Sequence, residues 1–161
     1  MEHPSTIRAA RNLAATYHSQ GQWSEAEKLQ VEVLEQRRRI LGMEHPETIR
    51  VAENLAFTYH SQGQWREAEK LQAEVLEQSR RLLGMEHPDT IEAAGSLAAI
   101  YCAGGGWHKA CNLLESSVQL SMQVLGKHHP YTQNVTKELS LVYEELGRSE
   151  ESQEMEDVLL S

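Results

Sequence analysis

Cysteine occurs only twice in the 161 residues. Cys102 and Cys111 are too few for a disulfide scaffold and lack the paired CxxC spacing of a zinc site, so both read as packed thiols. No apolar run approaches the roughly 20 residues that cross a bilayer. The N-terminus lacks the basic start and apolar stretch of a signal peptide, so the expected address is intracellular and cytoplasmic. Positive charge is also short, 15 Lys and Arg against 24 Asp and Glu for a net charge of −9. Nucleic-acid modules usually carry a basic stripe, and this balance argues against one. What remains, 40% hydrophobic and 24% charged, is the composition of a globular domain with a core.

Self-similarity organises that composition. Residues 1–42 and 43–84 are identical at 34 positions and differ at eight: Ser5/Glu47, Ala9/Val51, Arg11/Glu53, Ala15/Phe57, Ser24/Arg66, Val31/Ala73, Arg37/Ser79 and Ile40/Leu82. Residues 85–126 keep the skeleton more loosely, and 127–161 hold a fourth, incomplete copy. The expectation is a single domain, 1–161, of four units.

Each unit reads as two helices. His-Pro-x-Thr opens the first, at His3-Pro4, His45-Pro46, His87-Pro88 and His129-Pro130. Pro suits the first helical position because its missing N–H would be unpaired there. Ile7, Ala10, Leu13, Ala14 and Tyr17 fall three and four apart, on one face. Gly21, Gly63, Gly105 and Gly147 end this helix. The second helix runs from Trp23 to Leu41, with Ala26, Leu29, Val33 and Ile40 expected inward and Glu25–Lys28 and Glu35–Arg39 pairing outward. Gly42 is expected as a left-handed cap. One such hairpin cannot bury its apolar faces alone, so neighbours must stack.

Leu13-Ala14, Tyr17, Gly21, Trp23 and Ala26 recur as Leu55-Ala56, Tyr59, Gly63, Trp65 and Ala68, and as Leu97-Ala98, Tyr101, Gly105, Trp107 and Ala110. This pattern resembles the tetratricopeptide repeat. The fourth copy keeps Leu139, Tyr143 and Gly147 but has Ser149 and Ser152 for Trp and Ala, which puts its packing in question. The 42-residue period and HPxT opening are similar to kinesin light chains, and still more to the tandem repeats of fungal NB-ARC, NLR-like receptors. The resemblance implies an all-α solenoid, a right-handed superhelix of four helical hairpins, and a non-catalytic scaffold for a protein or peptide.

In such solenoids the first helices line a concave groove. The resemblance thus points to Arg8, Arg11, Asn12, Ala15, His18 and Ser19 in the first copy. In the second it points to Arg50, Glu53, Asn54, Phe57, His60 and Ser61. The third offers Glu92, Gly95, Ser96, Ala99, Cys102 and Ala103, and the fourth Asn134, Lys137, Glu138, Leu141 and Glu144. Asn12 and Asn54 present a donor and an acceptor together. They would either hold an extended peptide backbone, as a similar Asn does in kinesin light chains, or bridge neighbouring first helices. The cationic clamp with which some relatives grip a chaperone's C-terminus is largely missing: its positions hold Arg11, Ala15, Asn54, Glu92 and Ser96. Two of the eight differences, Arg11/Glu53 and Ala15/Phe57, fall on this face, as a surface diversified for recognition would show. Net charge runs +1, −2, −3 and −5 through the four copies, which would orient a partner or keep the last helix soluble.

No nucleophile, base and orienting group converge, so no enzyme activity and no cofactor are expected. His18, His60 and Cys102 share one repeat position, but repeats set such positions about 8–10 Å apart, too far for one metal. Arg37-Arg38-Arg39 reads as a solvated helix end that complements the dipole, without nucleic acid or membrane as partner. The competing function is self-association. Met1-Glu2-His3-Pro4 begins in phase with Met43-Glu44-His45-Pro46, so the first repeat would either continue a longer array or stack on another copy. The last helix, with Met155, Val158, Leu159 and Leu160 among acids, would cap the array or join two molecules into a homo-oligomer.

Overall fold

A computed structural model of the chain describes residues 16–17 and 20–160, with the side chains of 159 and 160 left aside. Among the described residues there are seven helices and no strand. These are α1 (Trp23–Leu41), α2 (Pro46–Ser61), α3 (Trp65–Leu83), α4 (Pro88–Ala103), α5 (Trp107–Val124), α6 (Pro130–Glu145) and α7 (Ser149–Leu160). The all-α class follows as expected, as do the two helices per repeat in the second, third and fourth copies, and α1 has the bounds read from sequence. The first helix of the first copy, with Arg8, Arg11, Asn12, Ala15, His18 and Ser19, lies outside the described residues.

Two compact units divide the chain, Met1–Gln78 and Ser79–Ser161, and the division falls within α3. In the first unit α1 packs on α2. In the second α4 packs on α5, α5 on α6 and α6 on α7, with a lighter contact between α4 and α6.

Histidine gives the first helices their starts. His45, His87 and His129 are the N-caps, and each imidazole Nδ1 accepts the backbone N–H two residues on, at 3.2 Å. One of the four orphan donors of the helix is thereby paired, while Pro at the first helical position has none to lose. At the other end of the hairpin Gly63, Gly105 and Gly147 take φ of 74°, 75° and 72°. Gly42 differs from expectation. Its φ of 88° comes with ψ of 168°, which is not the left-handed helical region but the extended positive-φ region, open in practice to glycine alone.

The buried stripe of α1 is Ala26, Gln30, Val33 and Leu34. Leu29 is only half-buried and Ile40 is 55% exposed, which corrects the inward placement of both. The stripe follows i, i+4, i+7 and i+8, so Leu29 sits at its margin and Ile40 lies in the last turn, beyond it. Leu82 and Leu83 at the end of α3 are exposed in the same way. The expected outward pairs do not describe the arginine run either. Arg37 meets Glu47 at 3.3 Å and Arg38 donates to Glu74 at 2.7 Å. This end of α1 is thus tied to α2 and α3 rather than solvated.

The fourth copy packs despite its lost Trp and Ala. Ala98 and Ala110 are fully buried at the helix crossing of the third copy. Ser140 and Ser152 hold the same repeat positions, are buried, and share an O···O hydrogen bond of 2.9 Å. Two hydroxyls therefore satisfy each other where two methyls would otherwise meet. Arg148 stacks over the Tyr143 ring at 4.4 Å and reaches Glu115 at 3.2 Å and Glu151 at 3.0 Å. Met155 packs against the same core as Leu114, Val135 and Leu139.

Candidate functional site

The face of α2 opposite its core is open. Val51, Ala52, Leu55, Ala56 and Thr58 are buried, whereas Arg50, Asn54, Phe57 and Ser61 are exposed and Glu53 and His60 half-exposed. This alternation is the direct result of apolar residues three and four apart along one helix. Phe57 is 53% exposed. Its ring stacks with His60 at 6.3 Å between centroids and 24° between planes, and His60 meets Trp65 edge-on at 5.2 Å and 66°. Trp65 is itself 37% exposed, so the repeat's tryptophan also contributes to the surface. Three aromatic rings in a row therefore cross the end of the α2–α3 hairpin. Arg50 is paired with Glu47. Among the described residues the Asn54 amide has no hydrogen-bond partner, and only its backbone carbonyl is engaged, accepting from Thr58 Oγ1 at 3.0 Å.

In the second unit Glu92 and Ser96 on α4, and Asn134 and Lys137 on α6, are exposed, while Cys102 and Glu138 are half-buried. Gly95, expected at the same face, is buried instead. Tyr131, in the first turn of α6, covers it and donates its hydroxyl to the Ile91 carbonyl oxygen at 2.6 Å. Burial raises the Tyr131 hydroxyl above its ordinary range, with Glu138 and Glu92 adding to the effect. Burial likewise pushes the Cys102 thiol up to about 11, reinforced by the Glu138 charge. Such a thiol is protonated near neutrality and a poor nucleophile or metal ligand. The Glu138 carboxyl is raised by burial alone. Cys102 and Cys111 are both free. Among the described residues, no three His, Cys, Asp or Glu converge as metal ligands would.

The turn glutamines of the second copy reach back to the first. Gln62 Nε2 donates to Glu27 Oε2 at 2.9 Å and to the Trp23 carbonyl oxygen at 3.2 Å, and Gln64 Nε2 reaches Glu27 at 3.3 Å and Gln62 Oε1 at 2.6 Å. They clasp the preceding repeat and leave the open face of α2 to residues 50–61. In the fourth copy Arg148 holds the place of Gln64 and contacts Cys111 and Glu115 in the same sense. Charge pattern alone carried no signal for either clasp.

Comparison with known proteins converges on one family. A family model described as tetratricopeptide repeat matches residues 5–81, 50–105 and 89–158. Among solved structures, a Podospora anserina protein of nearly identical TPR-like repeats, described as a kinesin light chain, is 33% identical. The match covers 98% of this chain and 75% of that one, with a TM-score of 0.87, and a variant of the same protein gives 0.88. BtubC from P. vanneervenii shares the fold at 18% identity, with a TM-score of 0.87 over 98% of this chain and 63% of its own. No curated protein matches the chain. Among the described residues no helix is long and apolar enough to cross a membrane.

Proposed function

The chain belongs to the tetratricopeptide repeat family, and from that premise we propose that it is a binding scaffold for an extended peptide or a protein segment, held along the first helices of its repeats. The family is one of non-catalytic repeat scaffolds, and its fold alone names no ligand. The observation that carries the reading is the open face of α2. Asn54 offers an amide without a hydrogen-bond partner among the described residues, one helical turn before the exposed Phe57 ring and its stack on His60. An amide can take both the N–H and the C=O of a passing backbone, and an exposed aromatic ring supplies apolar contact area.

Arg50, Glu53, Asn54, Phe57, His60 and Ser61 would form one stretch of the surface. Glu92, Ser96, Cys102, Asn134, Lys137 and Glu138 would form another, more acidic stretch. The likeness to kinesin light chain-type repeats favours an adaptor or the sensing repeats of a larger NLR-like receptor, working in the cytoplasm. Self-association through the terminal repeats is the second reading, in which Met155 takes no direct part because it packs inside its own unit.

The test is binding of the 161-residue chain to an arrayed library of extended peptides, with the Asn54→Ala/Phe57→Ala pair as comparison. Loss of binding at an unchanged melting temperature supports the reading. Binding that survives the pair, or that falls only together with stability, overturns it.

A further inference from the structure

In the third and fourth copies the tyrosine near the end of the first helix carries a cation from its own chain. Lys109 stands over the Tyr101 ring at 5.0 Å. Arg148 stands over the Tyr143 ring at 4.4 Å, donates to Glu151 Oε1 at 3.0 Å and reaches Cys111 Sγ at 3.3 Å. A π-face and a carboxylate both attract a guanidinium, whose plane suits stacking on a ring while its edge donates to oxygen. The Arg148 side chain is still 40% exposed, so this cradle opens to solvent.

The second copy builds the same cradle around a different centre. Tyr59, Glu67 and Glu27 hold the repeat positions of Tyr143, Glu151 and Cys111. Glu27 in place of the thiol makes it more acidic, while the position of Arg148 is Gln64 and that of Lys109 is Glu67 itself. The Gln64 carboxamide reaches Glu27 Oε2 at 3.3 Å but brings no charge. Both carboxylates act on one group: burial first, then Glu27 and Glu67, raise the Tyr59 hydroxyl above its ordinary range. Glu67 is exposed and makes no ion pair among the described residues. Lys28, Arg66 and Lys70, close to them in sequence, pair with neither carboxylate.

We propose that the second copy takes its cation from the ligand: an arginine side chain of the bound segment lies on the Tyr59 ring beside Glu67 and Glu27, as Arg148 lies on Tyr143 beside Glu151. The inference rests on the reading of the chain as a peptide scaffold and names the chemistry of the peptide, a basic segment. Charge complementarity selects it, since a neutral or acidic side chain would leave both carboxylates uncompensated. A lysine would meet the charge, but only a guanidinium also stacks flat and donates along its edge. The place adjoins the open face, because Tyr59 lies between Phe57 and His60 along α2 and Glu67 stands two residues beyond Trp65.

Acetyl-arginine amide is the probe, and acetyl-citrulline amide, of the same shape without the charge, its control. In an NMR titration of the 161-residue chain the arginine probe should shift the Tyr59 ring and Gln64 side-chain amide signals saturably, and the citrulline probe should bind about fivefold more weakly. Glu67→Gln should weaken the arginine probe by a similar factor. Gln64→Arg supplies from within the guanidinium that the fourth copy has, and should abolish the response at an undiminished melting temperature. Equal binding of the two probes, or an unaltered response in folded Gln64→Arg, overturns the proposal. In the peptide library, binders that tolerate citrulline at every arginine overturn it too and leave the scaffold reading standing. An arginine response in a chain that binds no library peptide supports the cradle and sinks the scaffold reading instead.

Discussion

The hydroxyl of Tyr131 stands where a side chain on Gly95 would go: a Cβ built there would lie 2.3 Å from the oxygen and 3.3 Å from the ring carbon that bears it. Gly95 is helical and its backbone needs no glycine. Alanine would ordinarily gain about 1 kcal/mol at such a position. Here Tyr131 would have to leave its bond to the Ile91 carbonyl, so Gly95→Ala should lower stability by about 1–2 kcal/mol. In a Tyr131→Ser background the same change should be stabilising. Chemical denaturation of the four proteins measures the coupling, and additive effects would show that the two residues do not interact.

Ser140 and Ser152 form a second pair with a measurable coupling. Either one changed alone to alanine leaves a buried hydroxyl without its partner, at about 1 kcal/mol. Changing both restores the two alanines that the third copy holds at these positions, and should cost less than one substitution alone. A double variant that loses the sum of the singles would contradict the pairing.

Burial raises the Glu138 carboxyl above its ordinary value of 4.5. The folded chain therefore binds this proton more tightly than the unfolded chain does. That contribution is fully present below the ordinary value and is lost as pH rises through the raised one. At pH 7 the carboxylate opposes folding, so Glu138→Gln should melt higher than the parent, and the gap should close as pH falls below the ordinary glutamate range. Thermal melts at both pH values decide it, and a gap independent of pH would rule the explanation out.

His87→Ala removes the imidazole that accepts the Asp89 N–H and should cost about 1 kcal/mol, whereas His87→Asn should keep most of the stability because asparagine is a strong N-cap. Urea titration of the two variants provides the comparison. Equal losses would mean that the histidine contributes something other than the cap.

Helix limits were legible because Pro46, Pro88 and Pro130 mark starts, Gly63, Gly105 and Gly147 mark turns, and the 42-residue period repeats both signals. The His caps were not, since histidine is no standard N-cap and only the coordinates show Nδ1 facing the amide. Ile40 and Leu29 were misplaced because periodicity gives a helix its apolar side but not the point at which the neighbouring helix ends. At the candidate site, the resemblance together with the apolar stripe pointed to the open positions of α2. Gly95 escaped it, since its burial depends on Tyr131, 36 residues further on. The clasp of Gln62 and Gln64 depends likewise on Glu27, outside their own repeat.

That clasp also sets a grammar for the order of the copies. Glu69 stands in the second copy where Glu27 stands in the first, and the turn of each carries the same two glutamines. A further copy of residues 43–84 inserted behind the original would therefore meet a junction it already fits. Arg148 of the fourth copy reaches both Cys111 and Glu115 of the third; the second copy has Glu69 at the place of Cys111 but Ala73 at that of Glu115, so the tie to Glu115 is particular to the last two copies. A duplicated second unit would thus keep its glutamine clasp, whereas the contact of Arg148 with Glu115 needs the third copy beside the fourth.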